Sequence, residues 1–560
     1  MPWKSRWSID IPICSLPTYL FQSPTAELND KPIIIEGERP EYFLTLKTYR
    51  DWSKRFAAGL KKAGFQPGDR LLLFSSNALF FGAVQMGTIM AGGIFTGANP
   101  TYVARELAYQ IKDSGAKFLL VGETVLDTGI AAAKESNFPS SNIFVFDSGI
   151  ATFEGKAKPQ KGIQPWTNLL ASPSEAATLK WEEFTTRDQQ KDRVVVLNYS
   201  SGTTGLPKGV EISHYNYIAN AAQTTALQAL NPDFEEWRQR ARGIAFLPMY
   251  HAYGQTFYGV NYPKLGVVLY VMRKYDFVTM LDWIQRYKIT NLTLVPPIVV
   301  SLTKRKEVKD YDLSTLEGVG CGAAPLGKES IVDFESKFGQ TRIFQGWGMT
   351  ELTCSAVGWD PTVDHPDPSA VGELMPNLEG MVVDDEEREV GVDQRGELWV
   401  RGPNVMKGYW GKVEETRKTL SPEGWLKTGD VGFRDGKGMV HIVDRKKELI
   451  KVKGLQVAPA ELEALLLDHP QVDDSAVVGV TVNGDELPRA YIVLKENSKA
   501  TPKEIASWLA ERVSRHKRLD GGVIPVNEIP KNPSGKILRK TLRDRAAKEV
   551  GDSAKQQSKL

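Results

Sequence analysis

Short apolar runs recur through the first 440 or so residues, and they constrain the fold more than any other feature of this chain. Lys117-Phe118-Leu119-Leu120-Val121, Ile143-Phe144-Val145-Phe146, Val267-Val268-Leu269-Tyr270-Val271 and Leu292-Thr293-Leu294-Val295 are examples, with helical patterns between them. Strand-then-helix alternation of this kind implies parallel sheets covered by helices, an α/β architecture. From about Val371 the texture changes to short strands and turns, such as Gly396-Glu397-Leu398-Trp399-Val400-Arg401-Gly402 and Gly408-Tyr409-Trp410. A β-rich part is therefore expected over about 371–443, closing an N-terminal domain of residues 1–443. After Asp444-Arg445-Lys446-Lys447 the pattern reads helix (458–467), strand (474–480), strand (489–494), helix (503–513) and a basic end. That describes a small α+β domain over 444–548, of ordinary domain size, followed by a flexible polar tail, 549–560.

At 560 residues, two or more domains are expected. The 70 Lys and Arg balance 68 Asp and Glu, which argues against a dedicated nucleic-acid surface. Cys14, Cys321 and Cys354 are too few and too scattered for a disulfide framework or a zinc site, and read as buried thiols. The start, Met1-Pro2-Trp3-Lys4-Ser5-Arg6, leads into no continuous apolar segment, so a secretory signal is not expected. Residues 71–95 are largely apolar, but Ser75, Ser76, Asn77, Gln85, Gly92 and Gly93 interrupt them. A buried strand over 68–74 and a following helix capped by Asn77 explain the stretch better than a membrane span.

The chemistry is concentrated in Tyr199-Ser200-Ser201-Gly202-Thr203-Thr204-Gly205-Leu206-Pro207-Lys208-Gly209-Val210, directly after the apolar run 194–197. Glycines admit close backbone approach to an anion, the hydroxyls donate, and Lys208 adds positive charge, so the loop reads as a cradle for ATP phosphates. Gly209 follows Lys208, where the P-loop motif needs Ser or Thr, so this is not that motif.

Four further segments fit the same chemistry. Gln345-Gly346-Trp347-Gly348-Met349-Thr350-Glu351 offers an aromatic face to a planar base, a hydroxyl at Thr350 and a hard oxygen ligand for Mg²⁺ at Glu351. Lys427-Thr428-Gly429-Asp430 puts a carboxylate on a tight turn, suited to ribose hydroxyls. The cationic run 444–454 ends in glycine and leads into Leu455-Gln456-Val457-Ala458-Pro459, which suggests a structured turn. Pro530-Lys531-Asn532-Pro533-Ser534-Gly535-Lys536 fixes a lysine at the tip of a constrained loop, able to stabilise charge that builds in a transition state.

Together these segments resemble the adenylate-forming superfamily of acyl-CoA synthetases, luciferases and peptide-synthetase adenylation domains, over about residues 30–545. The resemblance implies a large N-terminal domain of two α/β subdomains plus a small β-barrel, and a mobile C-terminal α+β domain. It places ATP phosphates on Ser200, Ser201, Gly202, Thr203, Thr204, Gly205 and Lys208. The adenine wall falls on Ala323, Ala324, Gln345, Trp347 and Gly348, the phosphate and Mg²⁺ contacts on Thr350 and Glu351, and the ribose contacts on Asp430 and Arg445. Lys447 matches the hinge and Lys536 the adenylating lysine. Lys451 and Gln456 match supporting residues of coumarate-type ligases, and Lys453 and Gly454 the loop beside coenzyme A.

The implied reaction has two steps. A carboxylate attacks Mg·ATP to give acyl-AMP and pyrophosphate, and the coenzyme A thiol then displaces AMP. Leu247-Pro248-Met249-Tyr250-His251-Ala252-Tyr253-Gly254 looks most like 4-coumarate–CoA ligases, which would put His251 and Tyr253 in the acyl pocket. Gly396–Gly402 and Trp347 depart from the plant pattern, so either an aryl acid or a fatty acid fits. A luciferase-like monooxygenase, or an adenylating enzyme that loads a carrier protein, would share the motifs. The final Ser558-Lys559-Leu560 matches a peroxisomal import address read by a receptor, so a peroxisomal location is expected.

Overall fold

Eight strands make the largest sheet, in the order Gly408–Tyr409, Lys208–Ser213, Val194–Ser200, Ile94–Ala98, Arg70–Phe74, Phe118–Gly122, Ile143–Phe146, Gln164–Pro165. In this computed structural model the described residues are 2–200, 206–339, 341–363, 367–452, 455–482, 485–532 and 535–557. The strands from Val194–Ser200 to Gln164–Pro165 run parallel. Their continuous apolar runs follow from burial on both faces. Leu71 and Leu73 pack with Phe56 and Leu60 on one side. Leu72 and Phe74 pack with Leu107, Ile111 and Leu126 on the other.

Helix Phe81–Met90 has every residue buried, which accounts for the uncharged stretch without any bilayer. Among the described residues no helix is long and apolar enough to cross a membrane. Asn77 does not cap this helix; its N-cap is Phe80. The buried Asn77 amide instead donates to the carbonyls of Ala245 (3.1 Å) and Leu247 (3.0 Å) and accepts from the Met249 amide (2.9 Å). It thereby fixes the approach to His251.

A second α/β layer holds the four strands Arg242–Ala245, Val268–Val271, Pro32–Glu36 and Phe43–Thr45 and the parallel trio Asn291–Leu294, Gly318–Cys321, Arg342–Gln345. The two sets meet where the Thr290 amide donates to the Arg242 carbonyl at 3.0 Å. The β-rich part is a five-stranded antiparallel sheet of Trp3–Lys4, Glu379–Val383, Gly396–Arg401, Leu426–Arg434 and Val440–Arg445. Gly408–Tyr409, read from sequence as part of that β-rich region, instead extends the eight-stranded sheet alongside Lys208–Ser213. Residues 150–190, poor in apolar periodicity, nonetheless bury Trp166 completely.

The C-terminal unit pairs Val472–Val482 with Asp485–Leu494 and adds Val523–Pro525 in parallel. Helices Pro459–Asp468, Pro502–Ala510 and Arg539–Gln557 accompany that sheet. The last helix takes in 549–557, so the expected flexible tail does not begin at 549. Ala, Lys, Gln and Glu in that stretch are good helix formers.

Replacing Asn77 by Ala leaves the Met249 amide without its partner and takes a donor from the Leu247 and Ala245 carbonyls, of which Ala245 keeps the Met272 amide at 3.1 Å. The expected cost is about 2–3 kcal/mol, read as a lower urea midpoint of the N-terminal unit. An unchanged midpoint would remove this bridging role.

Candidate active site

The site is assembled around a cavity of about 560 Å³ whose lining comes from the eight-stranded sheet, the second α/β layer and the C-terminal unit. Behind Trp347 and Arg445, which line it, the buried Asp430 carboxylate accepts a hydrogen bond from Trp347 Nε1 at 2.8 Å, although Asp430 itself, expected at the ribose, is not part of the lining. Arg445 Nε lies 2.9 Å from Asp430 Oδ1 but off the hydrogen-bonding direction, so that oxygen has no donor. A buried carboxylate oxygen in this state can receive a ligand hydroxyl. Asp430 and Arg445 are adjacent because they are cross-strand partners. The tight turn expected at 427–430 is absent: these residues lie inside strand Leu426–Arg434. Gly429 adopts φ +71° within it, and its carbonyl accepts from the Lys446 amide at 2.8 Å.

Glu351 sits on a short 3₁₀ turn, buried, where Oε1 accepts from the Ser200 hydroxyl at 3.1 Å and the Tyr409 hydroxyl at 2.9 Å. Burial and the Glu351 charge push the Tyr409 phenol well up, which keeps it a donor. Trp347, Gly348 and Thr350 line the same cavity, as does Ala323, which is held at φ +70°. Ala324 is not part of that lining. Gln345 reaches the wall, but its amide joins two loops: Oε1 accepts from the Leu326 amide at 3.0 Å, and Nε2 donates to the Pro368 carbonyl at 2.9 Å.

Lys536 enters from the C-terminal unit. The Asn532 side chain accepts from the Lys536 amide at 2.8 Å, and the Asn532 amide donates to the Lys536 carbonyl at 2.9 Å. Gly535, at φ +80°, has the Val295 side chain only 3.1 Å from where a Cβ would stand. Burial, then the Arg445 charge, pushes the Lys536 ammonium down to about 8. His251 and Tyr253 both line the cavity, as expected. His251 caps helix Ala252–Thr256 through Nδ1, which accepts from the Tyr253 amide at 3.3 Å. Burial, then the Lys536 charge, pushes this imidazole down to about 4, so it is neutral at ordinary pH.

Other expected residues are not gathered here. Lys208 pairs with Glu415 at 2.9 Å and lies 4.5 Å from the Tyr409 ring centre, outside the cavity lining. Lys451 and Gln456 are exposed cross-strand partners on a hairpin, away from the cavity. Lys447 is exposed in the turn between Val440–Arg445 and Ile450–Val452. Ser201, Gly202, Thr203, Thr204, Gly205, Lys453, Gly454, Ser558, Lys559 and Leu560 lie outside the described residues.

The structure adds Asp113, which no motif marked. Its carboxylate accepts from the Tyr199 hydroxyl at 2.8 Å and pairs with Lys412. Tyr109 bridges it to the far side of the glycine-rich segment, donating to the Pro207 carbonyl at 2.9 Å. Both flanks of the 200–208 segment are therefore tied to one carboxylate. Strand Lys208–Ser213 runs antiparallel to Val194–Ser200, with Lys208 opposite Ser200.

Comparison with known proteins gives the family. A family model described as "AMP-binding enzyme" matches residues 21–410, and one described as "AMP-binding enzyme C-terminal domain" matches 461–536. The chain belongs to the AMP-binding enzyme family. It is 36% identical over 552 residues to phenylacetyl-CoA ligase epaB of Aspergillus niger, covering 97% of this chain and 99% of that protein. It is 37% identical to 4-coumarate–CoA ligase 1 of Petroselinum crispum, covering 95% and 94%. The crystal structure of ATP-bound MatB from Rhodopseudomonas palustris superposes with a TM-score of 0.79 at 25% identity, covering 96% of this chain and 99% of that one.

Asp113→Ala should loosen both flanks of the glycine-rich segment and weaken AMP and ATP binding about tenfold, or about 1.4 kcal/mol. Calorimetric titration of the variant checks this, and unchanged affinity would leave Asp113 a surface ion pair.

Proposed function

We propose that this chain is an ATP-dependent acid–CoA ligase. Its carboxylic acid attacks the α-phosphorus of ATP, releasing pyrophosphate and forming acyl-AMP. The thiol of coenzyme A then attacks the acyl carbon, and AMP leaves. The observation that carries the reading is Lys536, delivered by the C-terminal unit into a cavity that also holds Glu351, Arg445, His251 and Tyr253. A cation there can stabilise negative charge as the carboxylate and α-phosphate approach. Asp430 Oδ1, without a donor, suits a ribose hydroxyl. The 200–208 segment would hold the phosphates, with Lys208 leaving Glu415 for them.

Among the described residues no cluster of three or more His, Cys, Asp or Glu could hold a metal on its own. The single carboxylate of Glu351 nonetheless suits Mg²⁺, which binds through few protein ligands while phosphates and waters complete its shell. When bound, Mg²⁺ would neutralise phosphate charge. The exposed position of Lys451 and Gln456 supports a two-orientation reading. In the present orientation Lys536 is in and that hairpin is out, and rotation about Lys447 would exchange them. Peroxisomal import through Ser558-Lys559-Leu560 belongs to the same proposal. Removing the three residues should return the protein to the cytosol in cell imaging.

Lys536→Ala should reduce acid-dependent pyrophosphate release by about 10²–10³-fold while nucleotide affinity changes little. Activity near that of the parent would sink the assigned role. The pH dependence follows from the lowered ammonium. The cationic form is the useful one, so the pyrophosphate-release rate should fall as pH rises through about 8. Residual activity of Lys536→Arg, which stays cationic, should lack that descending limb.

A further inference from the structure

We propose that the cavity beyond Tyr253 is a tunnel for an extended carboxylic acid bearing an oxygen function part-way along its chain. This rests on the acid–CoA ligase reading and names the acid that reading leaves open.

One wall is the continuous helical stretch of Ala252–Thr256, Phe257–Asn261 and Tyr262–Leu265. Tyr253, Phe257, Asn261 and Leu265 line the cavity from it at a spacing of four. Twelve residues at 1.5 Å each give about 18 Å of wall, far more than a benzoate or phenylacetate needs. The facing wall is strand Gly318–Cys321 and the residue after it. Alternate positions share one face of a strand, and here Gly318, Gly320 and Gly322 all line the cavity. A Cβ on Gly320 would meet nothing closer than the Tyr253 hydroxyl at 4.0 Å, and one on Gly322 would still be 3.7 Å from that ring. At Gly320 the missing side chain is therefore tunnel volume, whereas a Cβ on Gly318 would meet Asn291 Nδ2 at 3.3 Å and one on Gly322 the Gly346 carbonyl at 3.5 Å.

The far end is polar and opens toward the surface. Trp237 Nε1 donates to Asn291 Oδ1 at 3.2 Å, and Arg240 pairs with Glu317 at 2.8 and 3.1 Å. Arg240 and Glu317 are both exposed and both line the cavity.

Asn261 supplies the specific contact. It is 1% exposed, lines the cavity, and neither its amide nitrogen nor its oxygen has a hydrogen-bond partner. It lies eight residues past Tyr253, about 12 Å along the wall. It ends the π-helical turn Phe257–Asn261, a geometry that recurs at functional sites. An unbranched hydrocarbon would leave this amide unmet, whereas a hydroxyl or oxo group at that depth would satisfy it.

The test measures acid-dependent pyrophosphate release by the full chain. The panel holds benzoate, phenylacetate, cinnamates, straight alkanoates of six to sixteen carbons, and alkanoates with a mid-chain hydroxyl or oxo group. Expected are kcat/KM values that rise with length and favour the oxygenated acid about tenfold over its plain counterpart. Gly320→Leu, whose side chain would project into open tunnel, should move the optimum to shorter acids and lower kcat/KM for extended ones at least tenfold. Asn261→Leu should erase the preference for the oxygenated acid while plain acids of equal length are still turned over. A parent optimum on acids no longer than phenylacetate overturns the tunnel. An oxygenated-to-plain ratio unmoved by Asn261→Leu overturns the assigned contact. Absence of turnover with every acid, short ones included, overturns the ligase reading and the tunnel with it.

Discussion

The buried Asp430 carboxylate is the point on which the site depends. Its partners come from different parts of the chain: Trp347 from the loop after strand Arg342–Gln345, Arg445 from the last strand of the β-rich sheet, just before the C-terminal unit begins. A carboxylate buried without such partners would be costly. Trp347 satisfies one oxygen and Arg445 offsets the charge, which leaves the second oxygen available for recognition. Arg445 also stands close enough to Lys536 to disfavour its charge, so the arginine beside Asp430 helps tune the lysine that the C-terminal unit brings to the cavity.

What the sequence made legible was local. The apolar runs announced parallel strands because burial on both faces leaves no room for polar alternation. The motifs around Trp347, Glu351 and Lys536 were visible because each packs several chemical groups into a few residues. Asp113, Tyr409 and Asn261 left no comparable mark. Asp113 and Tyr409 act through partners tens to hundreds of positions away in the chain, and Asn261 is one of several polar residues, with Gln255, Thr256 and Lys264, in the same helical stretch. Only the fold shows that Glu351 is held by Tyr409 from the edge strand of the eight-stranded sheet.

Two misreadings have physical causes. Gly429 carries the positive φ that ordinarily signals a turn, but cross-strand pairing of Asp430 with Arg445 keeps the chain extended around it. Asn77 stands where a cap would be expected, yet its buried amide instead serves the Leu247 carbonyl and the Met249 amide beyond the neighbouring strand and adds a second donor to the Ala245 carbonyl at that strand's end. In both cases tertiary hydrogen bonding overrode a local preference worth only about 1 kcal/mol.

The placement of Lys536 against Lys451 and Gln456 bears on why a second domain exists at all. Lys536 stands close enough to lower the His251 imidazole, and its loop brings Gly535 against Val295, so this wall of the cavity is closed by the C-terminal unit. A thiol cannot reach the acyl carbon through a wall that the adenylating lysine occupies. The lysine must be removable, and a lysine on a rigid strand of the large sheet would not be. On the mechanism proposed above, carrying it on a loop of a separate unit, with Lys447 in the exposed turn before that unit, would allow one face of the cavity to be rebuilt between the two half-reactions. The acyl tunnel, by contrast, is walled by segments of the second α/β layer, which have no need to move. On that proposal, specificity and turnover fall to different parts of the molecule: the first to packed elements that hold their shape, the second to the C-terminal unit.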